Sequence, residues 1–324
     1  MRLRPRNNDA ACDMQSSPTS EAPARPRLLI VDGHAFAYRA FFAIRSLSAP
    51  DGSATNAIYG FIRMLVKMEA RVKPTHLIVV WDGGLHEERT ALHPEYKAQR
   101  PEMPANLALQ LDQIISWLRA GGVASLTEEG READDGIAAI THQAVAAGFE
   151  VIIASSDKDF MQLVSPDVRL LNPGDKTDAL WGAEEVMAKT SVKPTQIVDW
   201  LSLIGDSVDN ITGVAGIGPK TASELLRQFG SIDSIYQRIE EVSQNRLRAS
   251  LQASEGLLRR NQQLVRLKSE MTSEVSLEDL VRKPIDISAL RQLYAGWGFK
   301  TLLRELEQAH QSEGELFTET AGVG

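Results

Sequence analysis

The 324-residue chain has a single cysteine, Cys12, so no intrachain disulfide can form, and this fits a reducing compartment. No apolar run approaches the ~20 residues that span a bilayer, and no hydrophobic segment follows the first residues. Membrane insertion and secretion are therefore not expected, and a cytoplasmic protein is. An HxxxH pair is also missing, which together with the lone cysteine argues against zinc. The chain lacks a basic excess as well. Lys and Arg total 35 against 43 Asp and Glu, a formal charge of −8. That speaks against a nucleic-acid partner unless the acidic side chains are themselves committed to cations. The remaining composition, 43% hydrophobic and 24% charged, is that of a globular chain with length for one large domain or two ordinary ones.

Residues 1–25 are polar, rich in Pro, Ser and Arg and without periodicity, and read as a disordered leader. The character changes at RLLIVDG, a short apolar run ending in Asp32. THLIVVWDGG ends likewise in Asp82, and FEVIIASSDKD in Asp157 and Asp159. Between these runs lie helical patterns, AIYGFIRMLVKMEA, NLALQLDQIISWLRAGG and DDGIAAITHQAVAAGF. Strands alternating with helices give an α/β domain built on a mainly parallel sheet flanked by helices.

The stretch GREADDGIAAI crowds Glu132, Asp134 and Asp135 against an apolar segment. Acidic residues at a helix start are favoured by the macrodipole, so this stretch alone calls for nothing more. A single Asp at a strand end is similarly most often a turn former or a cap. Three strands ending this way in a parallel sheet, however, gather carboxylates on the edge where open α/β folds bind ligands. Like charges so close destabilise the fold unless cations neutralise them. An oxygen-rich set suits Mg²⁺ or Mn²⁺.

From Ala183 the pattern is helical to the end. SVDNITGVAGIGPKTASELLRQFG reads as two helices joined by a Gly-rich hairpin, with Asp206 and Asp209 before it and Lys220 after. A lone GxG is most often a tight turn. Here Gly216 and Gly218 also permit close backbone approach, and the N–H groups that follow can face an anion. The combination suggests a phosphate-backbone site beside a metal cluster.

VDGHAFAYRAFFA, VWDGG, YKAQRPEMP, GREADD, SSDKDFMQLVSP, IGDSVDN and GVAGIGPKTA occur in that order between Arg27 and Leu306. In motif and spacing the chain resembles the 5′ nuclease family: the 5′-3′ exonuclease domain of bacterial DNA polymerase I, the phage 5′ nucleases and, more distantly, the flap endonucleases. The resemblance implies a PIN-like core and a helix-hairpin-helix module. It implies a Mg²⁺-dependent, structure-specific nuclease that cuts DNA at 5′ flaps, nicked or branched duplex and RNA-primed ends; a monomer is expected. It places metal ligands at Asp32, Asp82, Glu132, Asp134, Asp135, Asp157, Asp159, Asp206 and Asp209. One ion is then held by the first two strands and the EADD helix, and a second by the DKD pair and the GDSVDN turn. Asp82 and Asp157 count among the catalytic residues with Lys97 and Arg100, a basic pair that at i, i+3 on a helical segment would share one face. DNA contacts are implied for Tyr38, Arg39, Arg89 and Tyr96, and for Gly216, Gly218 and Lys220 of the hairpin, where K⁺ can bridge to phosphate. Further basic groups for DNA are expected in Arg246, Arg248, Arg259 and Arg260.

The chain departs from the family pattern at Glu88, Gly136, Ser156 and Thr212. None of these removes a ligand. The expected organisation is a leader (1–25), a catalytic α/β domain (26–190) with an arch at about 84–104, a helical DNA-binding region (191–306) with its hairpin at 213–220, and a polar tail (307–324) that resembles a natural terminus, with both a free-standing nuclease and a fragment cut at a domain boundary left open. Two other classes use part of these features. A DNA-binding relative without turnover would keep the hairpin, but all nine acidic positions are intact here. A Mg²⁺-dependent phosphatase for small esters would use strand-end aspartates, but would need neither the hairpin nor the YKAQR segment.

Overall fold

A computed structural model describes residues 25–172, 179–269 and 275–320. Its centre is a six-stranded sheet of order β3-β2-β1-β4-β5-β6. The strands are β1 (Arg27–Asp32), β2 (His76–Trp81), β3 (Ala124–Thr127), β4 (Glu150–Ala154), β5 (Val168–Leu171) and β6 (Leu180–Trp181). All pairings are parallel except β5 with β6. Parallel strands covered on both faces read as continuous apolar runs, and β1, β2 and β4 do so. Alternate residues feed two cores. Leu28, Ile30, Ile78, Val80 and Ile153 face one side, and Leu29, Val31, Leu77, Val79 and Ile152 face the other. The mainly parallel α/β core expected from the sequence is present.

Helix α1 (Gly33–Ala43) leaves β1 directly, with Asp32 as its N-cap. Gly33 is required there, because a Cβ would lie 2.5 Å from the Trp81 ring. Helices α2 (Asn56–Val72) and α4 (Ala105–Ala120) complete that face of the sheet, and the short α3 (Glu87–Leu92) lies between β2 and α4. Helix α5 (Ala133–Ala146) covers the opposite face, in one core with α7 (Ile197–Ile204), α8 (Pro219–Phe229) and α11 (Glu255–Val265). The smaller α6 (Ala183–Thr190), α9 (Ile232–Gln237) and α10 (Asn245–Ala253) fill out this half.

Several boundaries differ from the sequence expectation. Strands β3, β5 and β6 are additional; at two to four residues, they are too short to stand out as apolar runs. SVDN is not helical. It is the turn of a two-stranded ladder, β7 (Gly205–Asp206) with β8 (Ile211–Thr212), set between α7 and α8. Helices α12 (Ile287–Gly296) and α13 (Lys300–Thr320) return to the α2–α4 face, where Trp117 Nε1 donates to the Tyr294 hydroxyl at 2.9 Å. The polar tail therefore begins as part of α13. At the other end, Arg25 belongs to the body, because it pairs with Asp167 at 2.6 Å and donates to the Gly148 carbonyl. Cys12 and the rest of the leader lie outside the described residues.

Candidate metal centre

The parallel register brings the carboxyl ends of β1, β2 and β4 together, and each strand-end aspartate commits one oxygen to a following backbone N–H. Asp32 Oδ1 accepts from Ala35 N at 3.0 Å, Asp82 Oδ1 from Ala133 N at 2.8 Å, and Asp157 Oδ1 from Asp159 N at 2.9 Å. Capping and clustering are therefore not alternatives. The same side chains that start α1, α5 and the turn after β4 also stand close enough for Asp157 and Asp82 to repel Asp32. Two residues not singled out in the sequence help to place them. Ser155 Oγ donates to Asp32 Oδ2 at 2.9 Å and accepts from Asp157 N at 3.1 Å. His34 Nδ1 accepts from Asp82 N at 3.0 Å, with the His34 ring edge-on to Trp81. Ser155 stands just before the SDKD run and was legible as a polar strand end. His34 carried no such signal.

A carboxylate oxygen from each of Asp159, Asp206 and Asp209 lies within 4.8 Å of the other two. Asp159 Oδ1 is shielded from solvent and meets no hydrogen-bond donor among the described residues. An orphaned buried acceptor of this kind is costly unless a cation faces it. Burial raises the Asp32 carboxyl to about 6, with repulsion from Asp157 and Asp82 adding to it. Burial and repulsion from Asp157 hold Asp134 and Asp159 well above the ordinary carboxylate range. Asp157 is raised as well, by burial and by repulsion from Asp209 and Asp206. It thus stands between two groups, one with Asp32, Asp82 and Asp134 and one with Asp159, Asp206 and Asp209. All the donors are hard oxygens, which suits Mg²⁺ or Mn²⁺ and not a thiolate-seeking metal.

Basic side chains enter this cluster from the 84–104 segment. Lys97 Nζ lies 2.6 Å from Glu132 Oε2, 3.9 Å from Asp134 Oδ2 and 4.0 Å from Asp209 Oδ2, and its side chain is only 3% exposed. Arg100 donates to Asp209 Oδ1 at 2.6 Å. The expected helical face does not exist: residues 94–99 form successive turns, and Lys97 adopts φ +55°. The two cations converge through that turn and through the Lys97 N–H, which donates to the Asp209 carbonyl at 3.1 Å. A solvated surface pair is excluded for Lys97.

Three sequence assignments do not match their surroundings. Asp135 is fully buried, and both its oxygens are taken by Arg89, with a further bond from Lys268 N, so they are already satisfied within the protein. Arg89 is 3% exposed and also donates to the Leu264 and Arg266 carbonyls, so its guanidinium is engaged within the protein. Tyr96 is buried too, its hydroxyl donating to Glu132 at 3.1 Å. Glu132 is held by Lys97, Arg89 and Tyr96; although burial opposes it, the Lys97 and Arg89 charges hold its carboxyl below the ordinary range. Tyr38 is half-buried on α1 and Arg39 is exposed. In the 213–218 turn, Gly216 adopts φ +83°, and Gly216, Gly218 and Lys220 are all exposed. Arg248 and Arg259 are paired with Glu240 and Asp233, so they are not free basic groups.

Residues 27–191 match the family model described as 5′-3′ exonuclease, N-terminal resolvase-like domain, and residues 192–288 match 5′-3′ exonuclease, C-terminal SAM fold. The chain belongs to the 5′-3′ exonuclease family. This member is a nuclease. It is 39% identical over 292 residues to the 5′-3′ exonuclease of Aquifex aeolicus, covering 90% of this chain and 99% of that one. It is 35% identical over 291 residues to DNA polymerase I of Bacillus caldotenax; the match covers 89% of this chain and spans only 33% of that longer protein. A bacteriophage T5 flap endonuclease solved as a complex with DNA and metal ions shares the fold, with TM-score 0.62 at 23% identity over 87% of this chain and 98% of that one. No helix among the described residues is long and apolar enough to cross a membrane.

Proposed function

We propose that this exonuclease-family chain is a divalent-metal-dependent, structure-specific nuclease that hydrolyses DNA phosphodiester bonds near 5′ ends, at flaps, nicks and RNA-primed fragments. The observation that carries the reading is the Asp159–Asp206–Asp209 cluster, with its orphaned Asp159 oxygen, facing the buried ammonium of Lys97. Asp159, Asp206 and Asp209 would hold one ion and Asp32, Asp82, Asp134 and Asp157 a second, with Mg²⁺ as the physiological metal and Mn²⁺ able to replace it. Bound ions of this kind stabilise the charge developing on a phosphate and lower the pKa of the attacking water.

The chain's own residues supply the rest. Lys97 and Arg100 are placed to meet the non-bridging oxygens of the reacting phosphate, where negative charge grows in the transition state. Tyr38 and Arg39 extend from the helix that starts at Asp32 and are assigned to the DNA near the cut. The 213–218 turn with Lys220 is assigned to the uncleaved duplex as a helix-hairpin-helix module, its exposed glycines admitting phosphate close to the backbone and K⁺ bridging the two. The T5 flap endonuclease solved with DNA and metal ions supports the choice of partner. The deciding assay offers Mg²⁺ and either a labelled 5′-flap duplex or a phosphate monoester. Cleavage of the flap near its junction, with the monoester untouched, is expected; turnover of the monoester alone would make the protein a phosphatase.

A further inference from the structure

Lys158 stands between Asp157 and Asp159, and none of the roles above uses it. Its Nζ lies 3.1 Å from Asp206 Oδ2, the one ion pair of Asp206 among the described residues. We propose that Lys158 is a displaceable internal cation: it neutralises Asp206 in the metal-free protein and must leave before a divalent ion can enter the Asp159–Asp206–Asp209 group. This inference rests on the metal reading above.

The three cations of the site are held differently. Lys97 is sealed in, with three carboxylates within 4.0 Å and a side chain 3% exposed. Arg100 is half exposed but is fixed at 2.6 Å to Asp209. Lys158 has one ion-pair partner among the described residues, a longer contact and a side chain 36% exposed. A flexible ammonium that is itself 36% exposed and meets Asp206 in a single contact is held less firmly than Lys97 or Arg100. It also leaves the group unfinished: Lys158 covers Asp206 while Asp159 Oδ1 stays bare. A divalent ion answers both carboxylates, so exchange runs toward the metal. The freed side chain has somewhere to go. A cavity of about 440 Å³ adjoins it, lined by Gln99, Lys158, Asp206, Asn210 and Pro219 among others.

Removing the Lys158 charge abolishes both its competition with the incoming ion and its repulsion of that ion, so both effects tighten metal binding. The same change leaves Asp206 without a counter-ion when metal is absent. The test is calorimetric titration of Mg²⁺ into the full-length protein, alongside thermal melts in excess chelator, with Lys158→Met, Lys158→Arg and the remote, exposed Lys189→Met as variants. Lys158→Met is expected to bind Mg²⁺ roughly threefold more tightly or better, and to melt lower than wild type in chelator. Lys158→Arg and Lys189→Met should follow wild type in both. Equal or weaker Mg²⁺ binding by Lys158→Met overturns the exchange and leaves the metal site standing. No Mg²⁺ uptake by any of the four proteins overturns both.

Discussion

Arg89 and Asp135 form a two-pronged buried ion pair, the guanidinium donating to both carboxylate oxygens at 2.7 and 2.9 Å, with side chains 3% and 0% exposed. The pair ties the segment after β2 to the first turn of α5. Breaking a buried pair from one side strands the other charge, typically at a cost of about 3–5 kcal/mol. Arg89→Ala should therefore lower stability by that order in urea unfolding, in chelator and in Mg²⁺ alike. Arg89→Met with Asp135→Leu should recover part of the loss, because no unpaired charge remains. A small stability loss with a large loss of duplex affinity would return Arg89 to the DNA interface.

Lys97 is a second case in which burial decides between roles. Its ammonium sits at the meeting point of Glu132, Asp134 and Asp209, away from any outer surface. Lys97→Ala should reduce the single-turnover cleavage rate by about 10²-fold or more at saturating enzyme, since a charge aimed at the transition state is lost. Flap affinity measured in Ca²⁺ should change far less. Loss of affinity with an unchanged rate would make Lys97 a backbone contact only.

Much of this site was legible in the sequence because it rests on local patterns. Apolar runs ending in Asp32, Asp82 and Asp157 gave the sheet edge, and the acidic residues before Ile137 gave the start of α5. What escaped notice depends on partners distant in the chain. Asp134 and Asp135 are adjacent in sequence, yet the helical turn sends one to the cluster and the other to Arg89, 46 residues earlier. Lys97 and Arg100 at i, i+3 suggested a helix, but the turn containing them is set by its contact with Asp209, which periodicity cannot show. The edge strands β3 and β6 are short and half exposed, so they carry neither length nor an apolar run.

The aspartate cluster makes stability depend on pH. A carboxyl whose folded pKa is raised stabilises the fold while protonated, below its ordinary value, and that contribution is lost as pH rises through the folded value. Burial puts Asp32 at about 6, and Asp134, Asp157 and Asp159 are raised as well. The metal-free protein should therefore melt higher near pH 5 than near pH 7.5. Saturating Mg²⁺ should narrow or reverse the difference. Identical melting curves at both pH values in chelator would show that the cluster is already neutralised from within the protein.

The 213–218 turn separates a structural from a binding role by choice of glycine. Gly216 has φ +83°, so any side chain there strains the backbone. Gly218 has φ −100°, and a Cβ there would meet nothing within 4 Å. Gly218→Val should accordingly fold and melt close to wild type. Its duplex affinity should fall similarly across sequences, with a shallower salt dependence, because phosphate contacts carry no base information. Normal binding with an unchanged salt slope would make the turn structural only.

The proposed function requires that the carboxylates around Asp159 hold the metal on which DNA cleavage depends. The most direct measurement is single-turnover cutting of a labelled 5′-flap duplex by wild type and Asp159→Asn, each in Mg²⁺ and in excess chelator. Wild type should cut near the junction only with Mg²⁺, and Asp159→Asn should lose nearly all of that rate while remaining folded and bound to the duplex. Robust cutting in chelator, or a fully active Asp159→Asn, would show that cleavage does not depend on a metal held there.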